Sequence, residues 1–205
     1  MFVSVKSEKK ENRSLELTEQ DLLKAARRGD HNAFKEIIKK YEHRVARTVI
    51  SMLGNCAEAE DIGQETFIRF YKSLDRFRGD SSVGTYLTRI AINLSLNELK
   101  RRGRRDKFFY SKPGSRKDKD ILDRLPAKNP GNHRQEIEEI VQQGIRRLKP
   151  QYRAVIVLRL IRGYSTIETA EILNLPKGTV LSRLSRAQKK LREILKPFSG
   201  GNTCL

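Results

Sequence analysis

Apolar residues in this chain recur every three or four positions, and no segment alternates apolar with polar residues as a half-buried strand would. Phe34, Ile37, Ile38, Tyr41, Val45, Val49 and Met52 keep that period for five turns. Such a chain can bury its apolar surface only by packing helix on helix, which predicts an all-α fold. The pattern breaks once, from Asp106 to about Asn132, where three prolines, two glycines and mixed charges leave only Ile121, Leu122 and Leu125 as an apolar cluster. That composition buries too little surface to offset chain entropy and predicts a flexible linker. The expected organisation is therefore a polar tail over 1–17, a helical domain over 18–105, a linker over 106–132, a second helical domain over 133–198 and a short tail over 199–205.

Local signals place the helices of the first half. Thr18 and Asp30 stand where caps are needed, and Gly29 and Gly54 stand at stops. A third helix is expected over about Ala57 to Leu74, with Phe67, Phe70, Tyr71 and Leu74 as its core stripe. Asp61, Gln64, Glu65 and Ile68 project together from another side of it. That acidic and polar group serves either solubility or docking. Residues 76–85 read as a loop. The next helix buries Tyr86, Leu87, Ile90, Ala91, Leu94 and Leu99, lines up Arg89, Asn93 and Asn97, and ends in the basic run Arg101 to Arg105.

In the second half, one helix carries Ile137, Ile140, Val141, Ile145 and Leu148. Pro150 separates it from another with Val155, Ile156, Leu158 and Leu160, ended by Gly163. Ser165 and Glu168 then form an S-x-x-E capping box, and Asn174, Leu175 and Pro176 stop the short helix they begin. A longer helix follows from about Gly178, holding Val180, Leu184, Ala187, Leu191 and Leu195 on one face and Thr179, Ser182, Arg183, Arg186 and Lys190 on another. This is the pattern of a helix-turn-helix, with hydroxyls and cations aimed at a major groove. A solvated basic face, or a hairpin that only packs, would leave the same pattern.

Charge narrows the choice. A formal net charge of +18 and a pI near 10.2 favour a polyanionic partner, most often nucleic acid. No apolar run approaches the ~20 residues that span a bilayer, and the opening MFVSVKSEKKENRS does not resemble a signal peptide, so a cytoplasmic protein is expected. Cys56 and Cys204 are too few and too distant for a disulfide framework or zinc site, and His31, His43 and His133 have no ligand spacing. Motifs for nucleotide phosphate loops, metal hydrolysis and nucleophilic catalysis are missing, which predicts no catalytic residue, metal or cofactor and no small-molecule substrate. A nuclease would need clustered carboxylates, and Asp61, Glu65, Asp75 and Asp80 lack that spacing.

Three segments, in order, carry a family resemblance: DIGQETF at 61–67, LDRFRGDSSVGTYLTRIAIN at 74–93 and LPKGTVLSRLSRA at 175–187. Together the chain resembles a bacterial RNA polymerase sigma factor of the extracytoplasmic-function type, over about Leu17 to Phe198. The resemblance implies a sigma region 2 domain at 18–105 and a region 4 domain at 133–198. It implies that Asp61, Gln64, Glu65 and Ile68 meet the polymerase beta-prime coiled-coil, with the beta flap as a further partner. Phe77, Ser81, Ser82, Thr85, Tyr86, Arg89, Asn93 and Asn97 would take the −10 element. Pro176, Lys177, Gly178, Thr179, Leu181, Ser182, Arg183 and Arg186 would take the −35 element. An anti-sigma factor, often membrane-bound, is the further partner it implies, with no insertion of this chain into the membrane.

The family usually has tryptophan where Tyr86 stands, often an aromatic where Val83 stands, and lysine or arginine where Leu181 stands. Phe77 and Tyr86 have two readings, stacking on bases or packing in the core. A stand-alone helix-turn-helix repressor or activator is the competing reading of the whole, in which the first half would dimerise or sense.

Overall fold

The computed structural model describes residues 18–110 and 133–198. Among these residues the regular structure is helical, in eight α-helices. They are α1 (Glu19–Arg27), α2 (His31–Leu53), α3 (Ala57–Lys72), α4 (Val83–Tyr110), α5 (His133–Arg147), α6 (Pro150–Ile156), α7 (Thr166–Leu173) and α8 (Lys177–Leu195).

Short-range chemistry sets most boundaries. Thr18 Oγ1 accepts from the Asp21 N–H while Asp21 Oδ2 accepts from the Thr18 N–H, which closes a capping box on α1. Asp30 Oδ1 accepts from the Asn32 and Ala33 N–H groups at 2.8 and 3.2 Å and starts α2. Gly54, at φ +86°, ends it in a conformation that disfavours a side chain. The predicted α2 stripe is buried at Phe34, Ile37, Tyr41, Val45, Val49 and Met52.

Three boundaries differ from expectation. α3 stops at Lys72, and a single 3₁₀ turn, Leu74–Arg76, follows it. α4 begins at Val83, inside the expected loop, because Ser82 Oγ accepts from the Thr85 N–H at 3.2 Å and acts as its cap. It runs on to Tyr110, so the first five residues assigned to the linker are helical. Residues 106–110 contain neither proline nor glycine; the first breaker is Pro113. The remainder of that segment, with Ile121, Leu122 and Leu125, and both expected tails lie outside the described residues.

Leu160 also departs from its predicted burial, being 54% exposed. α6 widens into a π turn over Val157–Ile161, where the Arg162 N–H bonds the Val157 carbonyl at 2.9 Å. The longer repeat carries Leu160 off the stripe that Val155, Ile156 and Leu158 form.

The two helical sets do not stand apart. α2 packs on α5 and α6, and α4 packs on α6 and α7. One apolar core runs from Phe34, Phe70 and Leu87 in the first half to Ile145, Ile156 and Leu158 in the second. A smaller cluster of Val155, Ala170 and Val180 fixes the helix-turn-helix. Gly144 lets α5 approach α8, since a Cβ there would lie 2.8 Å from Leu195 Cδ2.

Arg153 pins the junction. It is 8% exposed, and its guanidinium donates to the carbonyls of Met52 at the end of α2, Arg146 at the end of α5, and Leu148. The last carbonyls of a helix lack intrahelical partners and carry partial negative charge, so one cation serves two helix ends. Burial pushes this guanidinium down to about 10, with Arg146 and Arg102 adding repulsion. Replacing Arg153 with methionine keeps the volume but strands buried carbonyls. Chemical denaturation should show Arg153→Met less stable by about 3 kcal/mol.

Candidate nucleic-acid interface

Three surfaces on three helices hold the residues singled out by sequence. On α3, Asp61, Gln64 and Ile68 are exposed, Ile68 by 46%, and Glu65 is half-buried. Spacings of three and four put them on one side. Glu65 is paired with Arg69 at 2.7 Å, so part of this acidic face is already neutralised. Tyr71, expected in the core stripe, lies at its margin, 39% exposed and edge-on to Phe34 at 4.9 Å between centroids.

A groove between α2 and α3 adjoins this face, outside the surfaces singled out by sequence. Ile38, Ile50 and Phe67 line it together with Glu42, Glu60 and Gln64. Ile50 is 41% exposed although its neighbours Val49 and Met52 are buried. The sequence signal is there: Ile50 follows Val49 directly and so falls about 100° off the stripe.

The second surface joins the loop before α4 to α4 itself. Phe70, Phe77 and Tyr86 form an aromatic triangle with centroid separations of 5.8, 5.9 and 5.0 Å. Phe77 is buried within it, so the packing reading describes its position, whereas Tyr86 is half-buried. Arg27 donates to the carbonyls of Leu74 and Phe77 and holds the chain before the loop. The Ser82 and Thr85 hydroxyls lie 3.0 Å apart at the start of the helix, and Ser81 is half-buried beside them. Val83 is 1% exposed, a core residue. Further along, Asn93 and Asn97 are exposed and Arg89 is half-buried, its Nε lacking a partner among the described residues.

The basic end of α4 is tempered by one acid. Glu98, 8% exposed, accepts from Arg101 at 2.7 Å and from Arg102 at 3.0 Å. Arg102 also reaches Glu58 at 3.4 Å and Cys56 Sγ at 3.3 Å, which ties α4 to the start of α3. The bond from Arg101, with that from Arg102, holds the Glu98 carboxyl below its ordinary value.

The third surface is the helix-turn-helix. Ser165 Oγ accepts from the Glu168 N–H at 3.1 Å, and Glu168 accepts from the Ser165 N–H at 2.8 Å. The Ser165 N–H, with the Ser165 hydroxyl, holds the Glu168 carboxyl low. Asn174, left-handed at φ 50°, closes α7. Val180 and Ala187 anchor α8 in the core. Pro176, Lys177 and Gly178 are exposed at its start, Ser182 and Arg186 are exposed along it, and Thr179 and Arg183 are half-buried. The Ser182 hydroxyl donates to the Thr179 carbonyl at 3.1 Å. Leu181 is 54% exposed but stands about 160° round the helix from Arg183, on the far flank of the exposed arc.

Comparison with known proteins identifies the family of the chain. The description of Sigma-70 region 2 matches residues 37–105, and that of Sigma-70 region 4 matches residues 138–191. The RNA polymerase sigma-H factor of Pseudomonas aeruginosa is 35% identical over 189 residues, covering 88% of this chain and 95% of that one. The ECF RNA polymerase sigma factor SigW of Bacillus subtilis is 34% identical over 186 residues, covering 89% and 99%. The solved structure of CnrH in complex with the cytosolic domain of CnrY is similar at a TM-score of 0.59 and 25% identity, covering 86% of this chain and 96% of that one. The chain belongs to the extracytoplasmic-function family of RNA polymerase sigma factors. It is a specificity subunit that binds core polymerase and directs it to promoters through −35 and −10 elements.

The Glu98 cluster has a pH signature. Its carboxyl is lowered on folding, so its contribution is complete above the ordinary glutamate value of 4.5 and is lost as pH falls through the lowered value. Thermal unfolding between pH 6 and pH 3 should show the wild type losing more stability than Glu98→Gln. Equal losses would mean that these ion pairs do not stabilise the fold.

Proposed function

We propose the following division of that work among the side chains. Asp61, Gln64, Glu65 and Ile68 dock on the beta-prime coiled-coil of core polymerase. An acidic face with an apolar residue at its end suits a protein partner, whereas the rest of this basic chain suits DNA. Region 4 would also meet the beta flap.

The surface from Ser81 to Asn97 receives the −10 element. Tyr86 offers ring surface for an unstacked base, with Phe77 as the ring behind it, and Asn93 and Asn97 offer amides to base edges. Arg89, half-buried beside the asparagines, brings a positive charge to the phosphates. Ser81, Ser82 and Thr85 supply hydroxyls at the helix start.

On α8, Pro176, Lys177 and Gly178 bring backbone N–H groups to a phosphate, and Thr179, Ser182, Arg183 and Arg186 read the −35 element in the major groove. Leu181 contributes an apolar contact from the flank, suited to a thymine methyl. In this reading the chain performs no catalysis, works in the cytoplasm, and is bounded as two DNA-reading domains at 18–105 and 133–198. An anti-sigma factor holds it inactive.

The observation that carries the reading is the order of exposed polar faces along three successive family segments: Asp61 to Ile68, Asn93 to Asn97, and Ser182 to Arg186. Overexpression followed by sequencing of transcript starts should yield one pair of promoter elements, and run-off transcription with core polymerase should begin there. Operator binding as a dimer without polymerase, and no transcript with it, would replace this reading by a stand-alone repressor. Arg186→Ala should weaken −35 binding by about 1–3 kcal/mol and relax preference at one base pair. Lysine at both 61 and 65 should impair assembly with core polymerase in a pull-down while the double variant keeps its affinity for a −35 duplex. Unchanged assembly would remove α3 from the docking surface.

A further inference from the structure

Tyr164 joins the two halves through a polar relay. It directly precedes the helix-turn-helix and is 4% exposed. The π turn over Val157–Ile161 and Gly163, at φ +72°, redirect the chain there, with the Tyr164 N–H bonded to the Leu158 carbonyl at 3.0 Å. Arg44 of α2 donates to the Tyr164 hydroxyl at 2.7 Å, and its guanidinium stands 5.6 Å from the ring centroid. Tyr164 donates to Thr88 Oγ1 of α4 at 2.9 Å, and Thr88 donates to the Gly84 carbonyl at 2.7 Å. Every hydroxyl in this chain both accepts and donates, in one direction, inside a buried site. Gly84 makes room for it, since a Cβ there would meet Arg44 Nη1 at 2.5 Å.

This arrangement cannot read a promoter at both ends. Elements centred near −10 and −35 lie about 25 base pairs apart, on the order of 85 Å along B-DNA. From the Tyr164–Thr88 contact, α7 and α8 extend about 40 Å even if laid end to end, and Asn97 is about 14 Å along α4. The halves must separate before both surfaces engage. The 22 residues between Tyr110 and His133 have a contour of about 75 Å, enough for that separation.

We propose that the Arg44–Tyr164–Thr88–Gly84 relay is a latch that holds the free protein closed, and that it must break before the two DNA-reading helices can occupy one promoter. The functional meaning rests on the promoter assignments given above. Thr88 lies on the buried side of α4, away from Asn93 and Asn97, so the latch governs the spacing of the readers and leaves their chemistry alone.

Distance measurement on the full-length chain tests it. Fluorophores are placed on cysteines introduced by Lys72→Cys and Lys189→Cys, both exposed positions, with Cys56→Ser and Cys204→Ser in the background. The labelled protein should show one short-distance population. Tyr164→Phe, which deletes only the hydroxyl, should raise the open-to-closed ratio about fivefold at unchanged helicity by circular dichroism. It should also lower the core polymerase concentration needed for half-maximal transcription from the mapped promoter. Arg44→Gln breaks the relay from its other end and should act in the same direction, which guards against a folding defect in one variant. A broad long-distance population in the parent protein, or distances unmoved by both variants, overturns the latch. A distance response with no transcript from any of the proteins upholds the latch and overturns the promoter reading.

Discussion

The arrangement depends on one buried cation without a carboxylate partner. Arg153 sends its guanidinium to the carbonyls of Met52, Arg146 and Leu148, and so ends α2 and α5 against each other. An Arg is suited to this because its planar fork carries five donors in fixed directions and keeps its charge even when burial lowers its pKa. The helix ends supply the negative potential that a carboxylate would otherwise give. From this junction the order of the second half follows. α6 is fixed by Arg153, the π turn continues α6, and Tyr164 follows where that turn ends. The junction sets α6 against the end of α2, and α6 in turn packs on both α4 and α8.

The same seam brings like charges together. Arg44 and Arg47 of α2 face Arg162, whose guanidinium is pushed below its usual value first by burial and then by Arg44. Closure of a chain with a net charge of +18 therefore works against repulsion, and hydrogen bonding has to hold what electrostatics would part. A polyanion relieves that repulsion only if the arginines are released to it. DNA and the closed seam thus compete for the same kind of group, and the closed state has a built-in reason to yield to the nucleic acid this protein serves.

Helix identities and most caps were legible because they depend on residues three or four apart. Thr18, Asp30, Gly54 and Ser165 all sit where the sequence placed them, and the eight-residue α7 was readable from its box and its Asn174–Pro176 stop. The α4 start at Val83 is not legible, because Ser82 reads as loop while its hydroxyl is the cap. The π turn leaves no sequence signal, because its one-residue excess changes the repeat only over five residues, too few to register as a new period. Least legible was the junction between halves. Arg153 meets Met52 across 101 residues, and Arg44 meets Tyr164 across 120. No periodicity marks such pairs, and a buried arginine looks in sequence like any other cation on a basic chain. Of the candidate site, the polar rows on α3, α4 and α8 are readable from spacing, as is the i, i+4 pairing of Glu65 with Arg69, but the burial of Phe77 is not.

The proposed readers and latch fit on one helix because α4 has room for both around its circumference. Thr88, Ala91, Ile92 and Ser95 fall within an arc of about 100° and are buried, whereas Asn93 and Asn97 fall about 140° and 180° from Thr88 and are exposed. Arg89 lies between the two arcs, which matches its half-burial. The aromatic triangle supports this division from one end, since Phe77 and Phe70 fix Tyr86 on the flank nearest the asparagines. A polar threonine in the buried arc would otherwise be a defect, and its hydroxyl bond to Gly84 alone would satisfy it as a donor. What remains is an acceptor aimed at the other half of the molecule, and only Tyr164 uses it among the described residues. The side chain that makes α4 an imperfect core helix is therefore the one that lets the second domain find it.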